Sequence, residues 1–285
     1  MTRVTREFKF RQAEFNVLRS LVYERTGINL RENKEQMVYT RLARRIRALN
    51  LKDFASYLKF LESTEGREEV SDFVNAMTTN LTRFFREDHH FQHLRHEVLK
   101  ARVEGNRAGV FDRNLRIWSA GCSKGMEPYS IAMTVKASLP QGAGWFTRIL
   151  ATDIDTNMLA VGRKGRYRET DCEGIPLPLE KRFVRYENGE ALMSQELKDM
   201  IHFKYLNLME EWPIKAKFDA IFCRNVMIYF DHETQQRLIS RFVEHLDDHG
   251  ILYVGHAESL VAQHPDLVSV GRSSFRIKTN LKVNA

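Results

Sequence analysis

The sequence predicts an α/β protein preceded by an α-helical N-terminal domain. Up to about residue 95, apolar side chains recur at helical spacing, glycine is sparse and proline is absent, as in a small helical bundle. From about residue 115, short apolar strand candidates alternate with helical stretches, which argues for a mostly parallel sheet. Between about Arg163 and Asp199 that rhythm breaks. Gly165, Gly174, Pro176, Pro178 and Gly189 make this stretch too irregular for one crossover helix, so an inserted subdomain is expected there.

The elements follow in order. Phe8, Phe15, Leu18, Leu21 and Val22 mark a first helix. In Glu35–Leu49, Val38, Leu42, Ile46 and Leu49 share one side, Arg41, Arg44 and Arg45 lie on another, and Arg47 is set apart. Phe54, Tyr57, Leu58 and Leu61 suggest a third helix, and Val70, Phe73, Val74 and Met77 a fourth. The expected strands are Leu115–Ser119, Arg148–Thr152, His202–Tyr205, Phe218–Cys223, Gly250–Gly255 and Ser274–Lys278.

Composition narrows the class. Hydrophobic residues make up 43% of the 285, enough for a real core and against disorder. There is no long uncharged apolar run, so no membrane span is expected. Met1–Lys9 lacks the apolar stretch of a secretory leader. Cys122, Cys172 and Cys223 are scattered without a C-x-x-C pair, so neither a disulfide framework nor a zinc cluster is expected, and the reducing cytosol is the expected compartment. A net charge of +7 suits an acidic partner without choosing one.

Ile117–Met133 carries the most chemistry. An apolar run ends at Ser119, a small-residue loop Ala120-Gly121-Cys122-Ser123-Lys124-Gly125 follows, and Met126-Glu127-Pro128-Tyr129 opens an apolar-periodic stretch. This reads as strand, tight glycine turn and helix; a glycine such as Gly121 lets the backbone turn sharply and lets a ligand approach the main chain. Arg148–Asp153 then gives a second strand ending in an acid, where a carboxylate can accept both ribose hydroxyls of a nucleoside. Together they point to an adenosine-bearing ligand at the carboxyl ends of parallel strands.

Four segments occur in a set order: Asn80-Leu81-Thr82-Arg83-Phe84-Phe85-Arg86-Glu87, the Trp118–Met133 stretch, Ala151-Thr152-Asp153-Ile154-Asp155, and Phe222-Cys223-Arg224-Asn225-Val226-Met227-Ile228-Tyr229-Phe230. Over nearly its whole length the chain resembles the CheR-type chemotaxis receptor methyltransferases. The resemblance implies a helical N-terminal domain (1–90) and a Rossmann-like S-adenosylmethionine methyltransferase domain (91–285) with a small inserted β-subdomain at about 163–200. It implies S-adenosylmethionine as methyl donor; no metal is expected. The acceptor would be a glutamate side chain on the cytoplasmic helical domain of a membrane chemoreceptor, and the products a glutamate methyl ester and S-adenosylhomocysteine. A cytoplasmic monomer without nucleic acid or membrane insertion is the expected state.

The chemistry agrees with such a site. A glutamate of pKa about 4.3 is already ionised at neutral pH, so no general base is required. The site must align the attacking oxygen with the methyl group and exclude water. The resemblance places Arg86 near the reacting methyl, where its guanidinium would orient a carboxylate, either the donor's or the acceptor's, so it counts as both a catalytic and a donor-binding candidate; taken alone it would read as a surface arginine lying over Phe84 and Phe85. Tyr229 would hydrogen-bond Arg86 or the acceptor carboxylate; alone it would read as a half-buried core tyrosine. Asp153 is the expected ribose ligand, an N-cap role being the alternative. Glu127 matches a donor-binding position, Asn80 and Thr82 match positions flanking the donor, Asn207 and Leu208 resemble an adenine-contacting pair, and Arg224 and Asn225 lie beside the same crevice.

One departure stands out: the family often has Gly-Glu-Glu-Pro-Tyr-Ser, and here Met126 replaces the first acid. Had that carboxylate touched the donor, affinity would fall. Arg41, Arg44, Arg45 and Arg47 are candidates for docking an acidic receptor helix, a solvated helix face being the alternative. Some members capture a receptor C-terminal pentapeptide with a glycine-rich loop of the β-subdomain; Arg185–Ala191 looks shorter and holds one glycine, which suggests a pentapeptide-independent enzyme. The rival readings are an RNA methyltransferase, for which no aromatic-interleaved basic stretch is evident, and a non-catalytic nucleoside- or receptor-binding module.

Overall fold

The computed structural model describes residues 6–278. The rest of the Met1–Lys9 stretch and the far end of the predicted second domain (279–285) lie outside the described residues. Four helices come first: α1 (Gln12–Thr26), α2 (Glu35–Ala48), α3 (Phe54–Glu62) and α4 (Glu69–Met77). Their apolar faces close on a core of their own, with Phe15, Leu18, Leu42, Phe54 and Tyr57 among its buried members. Asp53 caps α3 by accepting from Ser56 N–H at 2.8 Å.

Residues 78–88 are not helical, although the spacing up to residue 95 suggested helix throughout. Phe85 (φ 49°) and Glu87 (φ 58°) are left-handed, which an α-helix does not allow. Polar side chains fix this segment instead: Thr78 Oγ1 and Asn80 Nδ2 donate to Asp155 Oδ2 at 2.6 and 2.7 Å. Next come α5 (His89–His93), a π-helical turn (Leu94–Leu99) and α6 (Lys100–Arg107).

The remaining elements, in order, are β1 (Asn114–Ala120), α7 (Met126–Ser138), β2 (Phe146–Asp153), α8 (Thr156–Lys164), β3 (Arg166–Arg168), α9 (Leu177–Phe183), β4 (Val184–Glu187), β5 (Glu190–Met193), α10 (Gln195–Lys198), β6 (Ile201–Tyr205), β7 (Phe218–Cys223), α11 (His232–His245), β8 (Leu246–Val254), β9 (Leu267–Gly271) and β10 (Ser274–Ile277). The main sheet has the order β6-β2-β1-β7-β8-β10-β9. Its first five strands run parallel, and β10 pairs antiparallel with both β8 and β9. Strand β9 had no counterpart among the expected strands. It is a short edge strand, with Val268 and Ser269 exposed and Gly271 at its end, so its apolar pattern is weak.

Alternation along β1 shows why the sheet is buried on both faces. Leu115 and Ile117 enter the core shared with Tyr129 and Ile131 of α7, while Trp118 and Ala120 enter the opposite core beside Phe242 of α11. The irregular stretch folds as a separate antiparallel sheet of order β3-β5-β4. Tyr167 on β3 ties it to the glycine loop by donating to the Lys124 carbonyl at 2.7 Å.

The helical bundle sits over the carboxyl ends of the parallel strands. Asn29 N–H donates to the Tyr229 carbonyl at 2.8 Å, Tyr23 Oη to Asp231 Oδ2 at 2.5 Å, and Asn207 Nδ2 to the Arg25 carbonyl at 2.8 Å. These contacts roof the crevice where β1, β2 and β7 end.

Candidate active site

Beneath that roof lies a cavity of about 690 Å³. Its floor is the loop between β1 and α7. Gly121 (φ 78°) is required there, because a Cβ would come within 2.3 Å of Val226 Cγ2. Gly125 (φ 86°) begins α7, and a Cβ would meet the Gly162 backbone at 2.9 Å. Glu127, in the first turn of α7, is therefore carried to the crevice, where the helix N-terminus favours negative charge.

Glu127 accepts from Ser119 Oγ at 2.7 Å and from Arg224 Nη1 at 3.0 Å. Burial pushes its pKa up, against the pull of the Arg224 guanidinium. Arg224 is itself almost wholly enclosed, with a side chain 2% exposed. Its Nη2 donates to the Arg86 carbonyl and lies 3.4 Å from Glu87 Oε2. One guanidinium thus joins Glu127 to the backbone of Arg86.

Asp153 ends β2. Its Oδ2 accepts from Ser123 N–H at 2.7 Å and its Oδ1 from Asp155 N–H at 2.8 Å. Burial pushes its pKa up to about 6, opposed by those backbone donors. Each oxygen keeps further acceptor capacity toward the cavity, as a diol ligand needs.

The other candidates fall around the same space. Asn80, Thr82 and Arg86 line one wall, and Asn207, Leu208, Asn225 and Tyr229 line the others. The Arg86 guanidinium donates to the Leu81 carbonyl at 2.8 Å, not to the Tyr229 phenol. The Asn207 side chain is committed to the Arg25 carbonyl, Glu210 and Met209 N–H, and its carbonyl accepts from Glu210 N–H at 3.2 Å, so its backbone N–H is the group left for a base. Leu208 adds an apolar wall.

Of the four arginines of α2, only Arg41 lines the cavity. Its guanidinium donates to the Met77 and Thr78 carbonyls at 2.9 and 2.7 Å, and burial lowers its pKa while Tyr229 opposes that shift. Arg45 is held by Glu69 (2.9 Å from Nε) and Asp72 (2.5 Å), and Arg47 by Glu7. Arg44 is exposed. The basic run is thus divided, with Arg45 and Arg47 engaged inside the chain. Their acids, Glu7, Glu69 and Asp72, are remote in sequence and invisible to a local reading.

Sequence reasoning missed two residues. Asp155 caps α8 and anchors Thr78 and Asn80, which holds the 78–88 segment against the sheet. An Asp-Thr-Asn run ahead of a helix was a usable N-cap signal. Glu258 is 2% exposed and collects the N–H groups of Asn225 (3.2 Å), Val226 (2.9 Å), Met227 (2.8 Å) and Gly255. It clamps the turn that carries Tyr229, and nothing in its local sequence announces this. Met126 belongs to the buried apolar core and is not among the cavity residues, so the departure at this position falls outside the crevice.

Two family models match the chain. The CheR methyltransferase all-alpha domain covers residues 13–78, and the CheR methyltransferase SAM-binding domain covers residues 80–276. The chain belongs to the CheR methyltransferase family. It is 42% identical over 277 residues to chemotaxis protein methyltransferase 2 of Pseudomonas aeruginosa, covering 94% of each chain. It is 42% identical over 264 residues to the chemotaxis protein methyltransferase of Escherichia coli, covering 91% of this chain and 88% of that one. The Borreliella burgdorferi protein of the same name is 38% identical over 250 residues, at 87% and 88% coverage. The CheR all-alpha domain corresponds to the four-helix core, and the SAM-binding domain to the sheet that carries the crevice.

Proposed function

We propose that this CheR-family chain methylates glutamate side chains on the cytoplasmic helices of chemoreceptors, giving glutamate methyl esters and S-adenosylhomocysteine for chemotactic adaptation. The observation that carries the reading is one roofed crevice that gathers Asp153, Glu127 and Arg86 around a loop with no room for a side chain at Gly121 or Gly125. S-adenosylmethionine supplies a methyl group carried on a sulfonium. Asp153 would hold the ribose, Leu208 and the Asn207 backbone the adenine, and Glu127 the amino group, with Asn80, Thr82, Gly121, Arg224 and Asn225 shaping the pocket. Arg86 and Tyr229 would orient the incoming carboxylate. The acceptor is already anionic, so the residues position it and keep water out.

Arg41 and Arg44 remain the better placed of the four arginines for an acidic receptor helix. The tight Asn188-Gly189 hairpin between β4 and β5 supports pentapeptide independence; micromolar binding of a receptor C-terminal pentapeptide in calorimetry would refute that part. In this reading the enzyme acts as a cytoplasmic monomer, and its two domains divide near residue 90.

The test is incubation with labelled S-adenosylmethionine and receptor-containing membranes. Label released as volatile methanol in alkali identifies a carboxyl ester. Alkali-stable label in RNA would overturn the assignment. Arg86→Ala and Tyr229→Phe should each lower turnover at least about tenfold while S-adenosylhomocysteine still binds.

A further inference from the structure

We propose that Glu87, His89 and His256 form a binding site for one divalent transition-metal ion at the edge of the crevice. Glu87 and His89 come from the turn that opens α5, and His256 from the loop after β8. One ligand atom from each of the three lies within 4.8 Å of the others. His256 Nδ1 is 3.8 Å from Glu87 Oε2, and the His89 and His256 rings lie 5.1 Å apart and 9° from parallel. Donors around a tetrahedral ion sit roughly 3.3 Å apart, so a contraction of about 0.5 Å between His256 and Glu87, and of at most about 1.5 Å elsewhere, completes the set. His256 is 42% exposed and free to make that adjustment.

A second observation points the same way. Glu87 Oε2 and His89 Nε2 are buried yet have no hydrogen-bond partner among the described residues. Buried polar atoms are rarely left so, and an ion would satisfy both. Two imidazoles and one carboxylate suit Zn²⁺, Co²⁺ or Ni²⁺ rather than the all-oxygen preference of Mg²⁺ or Ca²⁺, and they leave an open coordination position. The charge also permits it, because Arg224 faces two carboxylates, Glu87 and Glu127. An ion on Glu87 would draw that carboxylate from Arg224, whose Nη2 also holds the Arg86 carbonyl. The expectation of no metal came from cysteine spacing, which says nothing of ligands brought together from residues 87 and 256.

Untagged protein titrated with Co²⁺ and followed by visible absorption tests this, with Zn²⁺ as competitor. The expected result is one equivalent of Co²⁺ with a d–d band displaced by Zn²⁺. His256→Ala and Glu87→Gln should each weaken it at least tenfold, whereas the control His202→Ala, at an exposed histidine on β6, should not. A cooperative thermal unfolding transition in each metal-free variant confirms folding independently of the metal. No band, equal affinity in His256→Ala, or an equal loss in His202→Ala would overturn the site.

Discussion

Two arginine–carboxylate clusters, one in the helical bundle and one in the crevice, use the same groups to different ends. In the bundle, Arg45 bridges Glu69 and Asp72, and Tyr57 Oη donates to Glu69 at 2.7 Å. That cluster is closed: the acids and the phenol find partners among themselves. In the crevice, Arg224 bridges Glu127 and Glu87, yet its own Nε and Glu87 Oε2 stay buried without a hydrogen bond among the described residues. A closed cluster fixes packing. An open one beside a cavity keeps bonding capacity for something that arrives.

Removing each arginine should separate the two roles. Arg224→Ala is the larger loss. It strands two carboxylates, and breaking a buried pair of this kind costs about 3–5 kcal/mol. It also frees the Arg86 carbonyl and Glu127, so S-adenosylhomocysteine affinity should drop at least about tenfold in calorimetry well below the melting temperature. Unchanged affinity would break the comparison. Arg45→Ala should cost less, about 2 kcal/mol in denaturant unfolding, because the Arg45 side chain is 28% exposed and water can replace part of the pairing. Its donor affinity should not move. An Arg45→Ala protein with weakened donor binding would make the bundle cluster part of the site.

The contrast also marks what the sequence could convey. Periodicity located the four bundle helices and six of the seven strands of the main sheet, because an apolar face repeated every 3.6 or 2 residues is written locally. The glycine loop was legible for the same reason, as strand, turn and helix are consecutive. Glu69 as the partner of Arg45 was not legible, since the pair spans two helices. Glu258 was not either, because its four N–H partners come from residues 225–227 and 255. The 78–88 segment groups with the helical stretch up to residue 95, and ties to Asp155, Ser130 and Arg224, all remote in sequence, hold it as a loop.

Asp153 sharpens the comparison, being a crevice carboxylate held by backbone N–H groups rather than by an arginine. Burial raises its pKa to about 6 from 3.8. A raised carboxylate favours the protonated form in the fold, so its contribution to stability is most favourable below the unfolded value and declines as pH rises through about 6. Donor binding at the proposed site has the opposite sign, because ribose hydroxyls bond more strongly to an ionised carboxylate than to a protonated one. S-adenosylhomocysteine affinity should therefore fall as pH drops below about 6 and level off above it. Asp153→Asn should flatten that profile while weakening binding throughout. A wild-type profile flat from pH 5 to 8 (about the range where this group titrates) would remove Asp153 from the donor site.

The smallest effect is expected at Met126. Its side chain is 2% exposed and packs in the apolar core between the sheet and α7, although its neighbour Glu127 faces the cavity. Successive helix positions point about 100° apart, so adjacent residues can serve different surfaces. Met126→Leu nearly conserves volume and should cost less than about 1.5 kcal/mol. Its donor affinity should equal that of the wild type in the same calorimetric titration. A clear loss would mean that packing behind α7 sets the position of Glu127, and the division between a closed interior and an open crevice would then not hold at this helix.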